Sequence, residues 1–172
     1  YRRMTDVFGD FGIADETAFF HVVNKVRNSY IRTEADEVQY NLHVMLRYDL
    51  ERDLIRGKLE VADLEEAWNA RFEADFGYAV DKPANGVLQD VHWSTGYIGS
   101  FPSYTIGNVM AAQLMAALQQ QDATLGPALR SGHYAPLKSA LGHAIWQHGR
   151  RFGREELLVR STGRGLDPAP YL

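Results

Sequence analysis

The feature that most constrains this chain is a helical apolar repeat with no competing strand pattern. Val38, Leu42, Met45, Leu46, Leu50 and Leu54 recur at three- and four-residue steps, the period of one face of an α-helix. The spacing predicts a long helix from about Thr33 to Arg56, stopped by Gly57. Other segments read the same way. Asp15 caps a helix to about Arg27, with Ala18, Phe19, Val22, Val23 and Val26 as its apolar face. Asp63-Leu64-Glu65-Glu66 reads as a capping-box-like start to a helix that carries Trp68 and Phe72 and ends at Gly77. Helices are also expected from about Ser103 to Gln121, from Pro136 to no further than Gly149, and from Arg154 to Arg160. Residues 161–172, with two glycines and two prolines, read as loop. Pro83, Gly86, Gly96, Gly99 and Pro102 exclude a long helix over 78–103, and Val87 to Ser94 reads as one short extended segment. The expectation is an all-α fold with little or no sheet, residues 1–172 forming a single helical region.

Composition excludes several functions. There is no cysteine, so disulfides, thiolate metal sites and cysteine nucleophiles are out, and a cytoplasmic protein is the expectation. Net charge is −4, which gives no general attraction to nucleic acid or an anionic membrane. Arg150, Arg151, Arg154, Arg160 and Arg164 are interrupted by Glu155 and Glu156 and read as a solvated face. No apolar run approaches the roughly 20 residues that span a bilayer. Tyr1-Arg2-Arg3-Met4 is not followed by the apolar core of a signal peptide.

A helical zinc-hydrolase site needs two histidines one turn apart with a glutamate, as in His-Glu-x-x-His. The histidines here are His21, His43, His92, His133, His143 and His148; none precedes Glu and none pairs at four residues. His143 and His148, five apart, diverge by roughly 140° on a helix. No metal site is expected from this chain. A glycine-rich phosphate loop and a Gly-x-Ser-x-Gly elbow are also absent.

Three groups of residues carry chemistry. Arg32 sits just before the first turn of the longest expected helix. Unpaired backbone N–H groups there, with a two-pronged guanidinium alongside, suit a carboxylate; the bland reading is that Arg32 pairs with Glu34 or Asp36. Gln89, Asp90 and His92 lie beside Trp93 in a glycine-bounded segment. On an extended backbone Asp90 and His92 share a side, so Asp90 orients the imidazole and leaves its other nitrogen for a ligand. The bland reading is an Asp–His pair that locks a loop. Tyr97 and Tyr104 flank a loop from which a phenol can donate to a developing oxyanion, or simply pack.

Ile31-Arg32-x-x-Ala35-Asp36 and Gly86-x-x-Gln89-Asp90-x-His92-Trp93, in that order, resemble the paired motifs of the M32 (Taq-type) zinc carboxypeptidases. Glu37-x-x-Tyr40-Asn41-Leu42-His43, Leu46-Arg47-Tyr48, Ala67-Trp68-Asn69, Phe101-Pro102-Ser103-Tyr104, Gly107-Asn108, Ala111-Ala112-Gln113 and Gly163-x-Gly165-Leu166-Asp167-Pro168 extend the likeness over almost the whole chain. The resemblance implies a helical fold like that of angiotensin-converting-enzyme-type peptidases and a homodimer. It implies a hydrolase that removes single C-terminal amino acids from peptides, the peptide C-terminus being the substrate. Zinc in the full-length enzymes is held by a His-Glu-x-x-His helix and a glutamate that precede this region. Zinc is therefore not expected in this chain, which matches roughly the last third of a family member. Arg32 takes the place of the arginine that binds the substrate carboxylate. Gln89 and Asp90 take places in the same cleft, and His92 that of a hydrogen-bond donor to substrate or oxyanion. Gly99-Ser100 departs from the family's Gly-Tyr, so that either Tyr97 or Tyr104 supplies the phenol or that transition-state stabilisation is lost. A chain truncated in this way is expected to be inactive alone and to expose apolar faces, through which it dimerises or around which it refolds locally. The competing reading is a non-catalytic helical module that binds peptides or serves in dimerisation.

Overall fold

The computed structural model describes all of residues 1–172. The chain is helical, with no strand. Eight α-helices follow in order: α1 (Arg2–Phe8), α2 (Glu16–Val23), α3 (Glu37–Ile55), α4 (Leu64–Phe76), α5 (Pro102–Gln121), α6 (Leu125–Arg130), α7 (Ala135–Ala144) and α8 (Arg154–Thr162). Short 3₁₀ turns cover Arg32–Glu34, Val61–Asp63, Pro83–Asn85, Trp93–Thr95 and Trp146–His148. Two compact units divide the chain, Tyr1–Pro102 and Ser103–Leu172.

In the first unit α3 starts later than its repeat predicts. Asp36 caps it, one carboxylate oxygen accepting from the amides of Val38 and Gln39 at 3.0 and 2.9 Å, while the other accepts from Arg27 at 2.9 Å. A carboxylate satisfying three backbone donors fixes the start of α3 just after Asp36, later than the expected start near Thr33. The same bond draws the Arg27 backbone to Asp36. α2 accordingly ends at Val23, where the Asn24 side chain bonds the Phe20 carbonyl at 2.9 Å. Its start is as expected, with Asp15 accepting from Ala18 at 2.8 Å. α4 ends as expected on left-handed Gly77 (φ 80°). Its start differs: Asp63, the last residue of a 3₁₀ turn, lies in helical conformation and makes no side-chain cap.

The core of this unit is Leu46, Leu50, Trp68, Phe72 and Phe76, flanked by Tyr30, Leu42, Tyr78, Val87 and Trp93. Phe72 stacks on Phe76 at 4.4 Å and meets Tyr78 edge-on at 5.2 Å. Arg71 of α4 bridges Asp49 of α3 and Asp75 at 2.7 Å each. The buried stripe of α3 is rotated from the one predicted. Val38 and Met45 are 65% and 49% exposed, whereas His43, Arg47 and Glu51 are buried beside Val44, Leu46 and Leu50.

The segment 87–94 is not extended. Leu88 and Gln89 donate to the carbonyls of Pro83 and Gly86 at 3.0 and 3.1 Å, and His92 is helical (φ −57°, ψ −55°). Strand alternation therefore does not relate Asp90 to His92.

In the second unit Val109, Gln113, Leu118, Leu125, Leu158 and Ser161 are buried. The Gln113 side chain holds the residues after α8. Its amide nitrogen donates to Thr162 Oγ1 at 3.0 Å and the Gly165 carbonyl at 2.9 Å, and its oxygen accepts from the Asp167 amide at 3.0 Å. Ser161 donates to the Ala144 carbonyl at 2.9 Å, tying α8 to α7. α7 ends at Ala144, where Ile145 leaves helical geometry, and α8 runs on to left-handed Gly163. Helices α1 and α6 were not foreseen from the sequence. No helix is long and apolar enough to cross a membrane.

Candidate functional site

The site lies in the first unit, where the turn Arg32–Glu34, one face of α3 and the irregular segment 85–101 meet. Ile31 is extended and Arg32 opens the turn, so the Arg32 amide is not spent inside a helix. It donates instead to Gln89 Oε1 at 2.9 Å. Gln89 Nε2 donates to the carbonyls of Tyr30 and Asn85, both at 2.9 Å. Gln89 thus fastens two chain segments nearly 60 residues apart through backbone groups. That places Asp90 beside the Arg32 guanidinium.

Arg32 is 6% exposed. Its Nε and Nη2 donate to Asp90 Oδ1 at 3.2 and 2.8 Å, and Nη1 donates to the Tyr40 hydroxyl at 3.0 Å. The partner is Asp90, not Glu34 or Asp36. Asp36 is engaged in capping α3.

The other oxygen of Asp90 belongs to Arg47. Nε donates to Oδ2 at 2.5 Å, Nη2 lies 2.5 Å from the same atom, and Nη1 donates to the His43 carbonyl at 2.7 Å. The Arg47 guanidinium lies 4.7 Å from the centre of the Trp68 ring and 5.5 Å from that of Phe101. Arg47 is fully buried. Glu51, one turn further along α3, accepts from the Trp93 indole at 2.7 Å and from the Gly99 amide. Tyr40, His43, Arg47 and Glu51 follow at steps of three, four and four residues, so one helix face carries all four.

Burial alone would raise the Asp90 carboxyl; the charges and hydrogen bonds of Arg47 and Arg32 override it and hold it below the usual carboxylate range. Burial likewise opposes the charge on Arg32, but the bond to Asp90 and its charge outweigh it and the guanidinium is held above its ordinary value. For Arg47 burial wins, pulling it down to about 10 against the pull of Asp90. Burial and then the Arg47 charge push the His43 imidazole down to about 4. His43 is therefore neutral, packed 4.5 Å from Phe76.

His92 Nδ1 stands 3.8 Å from Asp90 Oδ1, and its ring packs 4.4 Å from Phe101. Tyr97 is 66% exposed and its amide donates to the His92 carbonyl at 2.8 Å. Tyr104 stands in the first turn of α5, in the second unit, and is 39% exposed. The Ser100 hydroxyl donates to the Tyr97 carbonyl at 3.4 Å. The structure thus brings Arg32, Gln89, Asp90 and His92 together. The residues the sequence reading missed are Tyr40, Arg47, Glu51 and Phe101. Their signal was present: polar residues at 43, 47 and 51 share the helical phase of Leu46 and Leu50. No group of three His, Cys, Asp or Glu side chains in this chain could hold a metal ion, so the residues present do not form a zinc site.

Residues 1–172 match the model of the Carboxypeptidase Taq (M32) metallopeptidase family. Thermostable carboxypeptidase 1 of Thermus thermophilus is 38% identical over 172 residues, covering 100% of this chain and 34% of its own length. Carboxypeptidase 1 of Bacillus subtilis is 34% identical, over 93% of this chain and 31% of its own length. The crystal structure of the M32 carboxypeptidase of Deinococcus radiodurans is 41% identical and superposes with a TM-score of 0.93, over 99% of this chain and 35% of that one. The chain spans about a third of the length of the curated relatives it matches, and the match falls on their C-terminal part. With its fold, its paired motifs and its full length all matching, the chain belongs to the M32 family of metallocarboxypeptidases.

Proposed function

We propose that this segment forms the side of a metallocarboxypeptidase cleft that receives the free carboxylate of a peptide C-terminus, in an enzyme that releases single C-terminal amino acids. The observation that carries this reading is the Arg32–Asp90–Arg47 cluster. Two guanidiniums share one carboxylate, so the cluster itself holds one more positive than negative charge in a poorly solvated place. A carboxylate is the ligand that such a fork binds best. Arg32 is the group that meets it, held in place by Asp90 and Tyr40.

In this reading the His92 imidazole, 3.8 Å from Asp90, is the hydrogen-bonding group toward substrate or oxyanion. Tyr97, in the same unit as this cluster, is the phenol the reading assigns. Gln89 acts through the backbone of Arg32. The zinc of the family enzymes is held by residues outside 1–172. A homodimeric, cytoplasmic enzyme is the form the reading assigns.

The test is calorimetric titration of the 172-residue chain with an N-acetylated dipeptide, as the free acid and as the C-terminal amide. The free acid should bind at least about tenfold tighter, and Arg32→Gln should abolish the difference. Equal binding of acid and amide by the unaltered chain rejects the reading. Acid-selective binding by a full-length enzyme that carries this segment and zinc, but releases no amino acid, points instead to a non-catalytic peptide-binding module.

A further inference from the structure

Arg47 cannot meet a ligand. It is fully buried; Nε donates to Asp90 Oδ2, Nη2 stands at ion-pair distance from the same oxygen, Nη1 donates to the His43 carbonyl, and the guanidinium packs near the rings of Trp68 and Phe101. The group it acts on is Asp90. Asp90 divides its oxygens, Oδ2 to Arg47 and Oδ1 to Arg32. A carboxylate with both oxygens open forms two parallel bonds with one guanidinium and cancels its charge. Such an arrangement would draw Arg32 across to Oδ2 and away from Tyr40, which it now meets at 3.0 Å.

We infer that Arg47 is a positioning residue for carboxylate recognition: by occupying Asp90 Oδ2 it stops Asp90 from chelating Arg32 with both oxygens, and so keeps the Arg32 guanidinium aimed and its charge only partly offset. The inference rests on the carboxylate-binding reading of Arg32. It extends that reading to a buried residue outside both motifs, placed one helical turn from His43 and Glu51 on α3. It also assigns Asp90 a double character. Asp90 orients Arg32 while Arg47 is present, and competes with substrate for Arg32 once Arg47 is gone.

A sign reversal separates this role from simple packing. The probe is the same N-acetylated dipeptide, as acid and as amide, titrated into the 172-residue chain carrying Arg47→Met, Arg47→Lys, or the double substitution R47M/D90N. R47M should lose about tenfold in affinity for the acid with amide binding unchanged. R47K keeps a cation beside Asp90 and should stay within about threefold of the unaltered chain. The double variant should bind the acid more tightly than R47M, because the uncharged side chain at position 90 no longer neutralises Arg32. A packing role predicts the opposite, with the double variant no better than R47M and R47K as impaired as R47M. Either result overturns the inference.

Near-UV circular dichroism from Trp68 and Trp93 checks the fold of each variant. If R47M does not fold, R47K decides alone: a loss as large as that of Arg32→Gln overturns the inference. The Arg32 Nε–H resonance of the ligand-free chain separates the two readings. It should move in R47M and return toward its original position in R47M/D90N. If that resonance behaves so while acid and amide bind equally, Arg47 positions Arg32 and the carboxylate reading fails. If the resonance does not move while the unaltered chain prefers the acid, the carboxylate reading stands and the role of Arg47 fails.

Discussion

Arg47 holds Asp90 across 43 residues of sequence, with Nε and Nη2 both 2.5 Å from one carboxylate oxygen. The arginine side chain is 1% exposed and the aspartate 12%. A pair so placed adds little when intact, because desolvating both ions offsets their attraction. It is costly to break, because the survivor is left uncompensated.

Asp90→Asn should therefore destabilise the chain by about 3–5 kcal/mol at pH 7 in urea unfolding. The pH dependence has a definite sign. The folded carboxyl lies below its usual range, held there by Arg47 and Arg32 against the effect of burial. Its contribution is complete above the unfolded value of about 3.9 and is lost as pH falls through the lower folded value. The gap between the unaltered chain and Asp90→Asn should stay constant from pH 7 to about 5 and shrink only below. A gap that closes near pH 6 contradicts the assigned ion cluster.

His43 predicts a slope in a different window. Its imidazole is held at about 4 in the folded chain by burial and by Arg47, against about 6.5 when unfolded. Between these values the unfolded chain binds the extra proton, so stability falls as pH is lowered from 7 to 4, by roughly 3 kcal/mol from this group. The charged groups around it are Arg47, Arg32 and Asp90, none of which titrates in that window. His43→Leu should remove that part of the slope, read as urea midpoints across roughly pH 4.5–7.

Gly86 marks the tightest approach in the loop that carries Gln89 and Asp90. A Cβ there would stand 2.9 Å from Val80 Cγ1 and 3.5 Å from the Trp68 ring. Valine is stiff at χ1, so Gly86→Ala must displace the loop or the core edge, at a cost of about 1–3 kcal/mol. The Trp68 fluorescence should shift with it. An unchanged midpoint and spectrum would show that the contact relaxes freely.

Gln113→Leu tests the anchoring of the residues after α8. The substitution keeps apolar bulk and removes the bonds to Thr162, Gly165 and Asp167, costing about 1–3 kcal/mol. The Asp167 amide should exchange with solvent much faster, while the amides of α5 stay protected. Equal protection of Asp167 in both chains rules out the anchor.

Much of the helical layout was legible in sequence because it depends on local rules. The α4 stop at Gly77, the α2 cap at Asp15 and the run of α5 follow from left-handed glycine, carboxylate capping and apolar period. Errors arose where two local signals competed. Thr33 and Asp36 can both start α3, and Asp36 prevails because it also binds the Arg27 amide from an earlier segment. The core face of α3 was misjudged because His43, Arg47 and Glu51 read as polar surface. Partners more than 40 residues away make the burial of Arg47 and Glu51 possible.

What the sequence by itself determined is the helical class, the absence of cysteine and zinc-motif chemistry, and the two motifs that mark Arg32, Gln89, Asp90 and His92. Composition and short-range spacing are enough for these. Only the tertiary structure decided which charge answers which: that Arg32 pairs with Asp90 rather than with Glu34 or Asp36, that Gln89 serves the backbone, and that Arg47 shares the carboxylate. These choices depend on how α3 and the segment 85–101 pack. A buried ion takes the partner that packing brings within about 3 Å of it, and sequence spacing does not encode that distance.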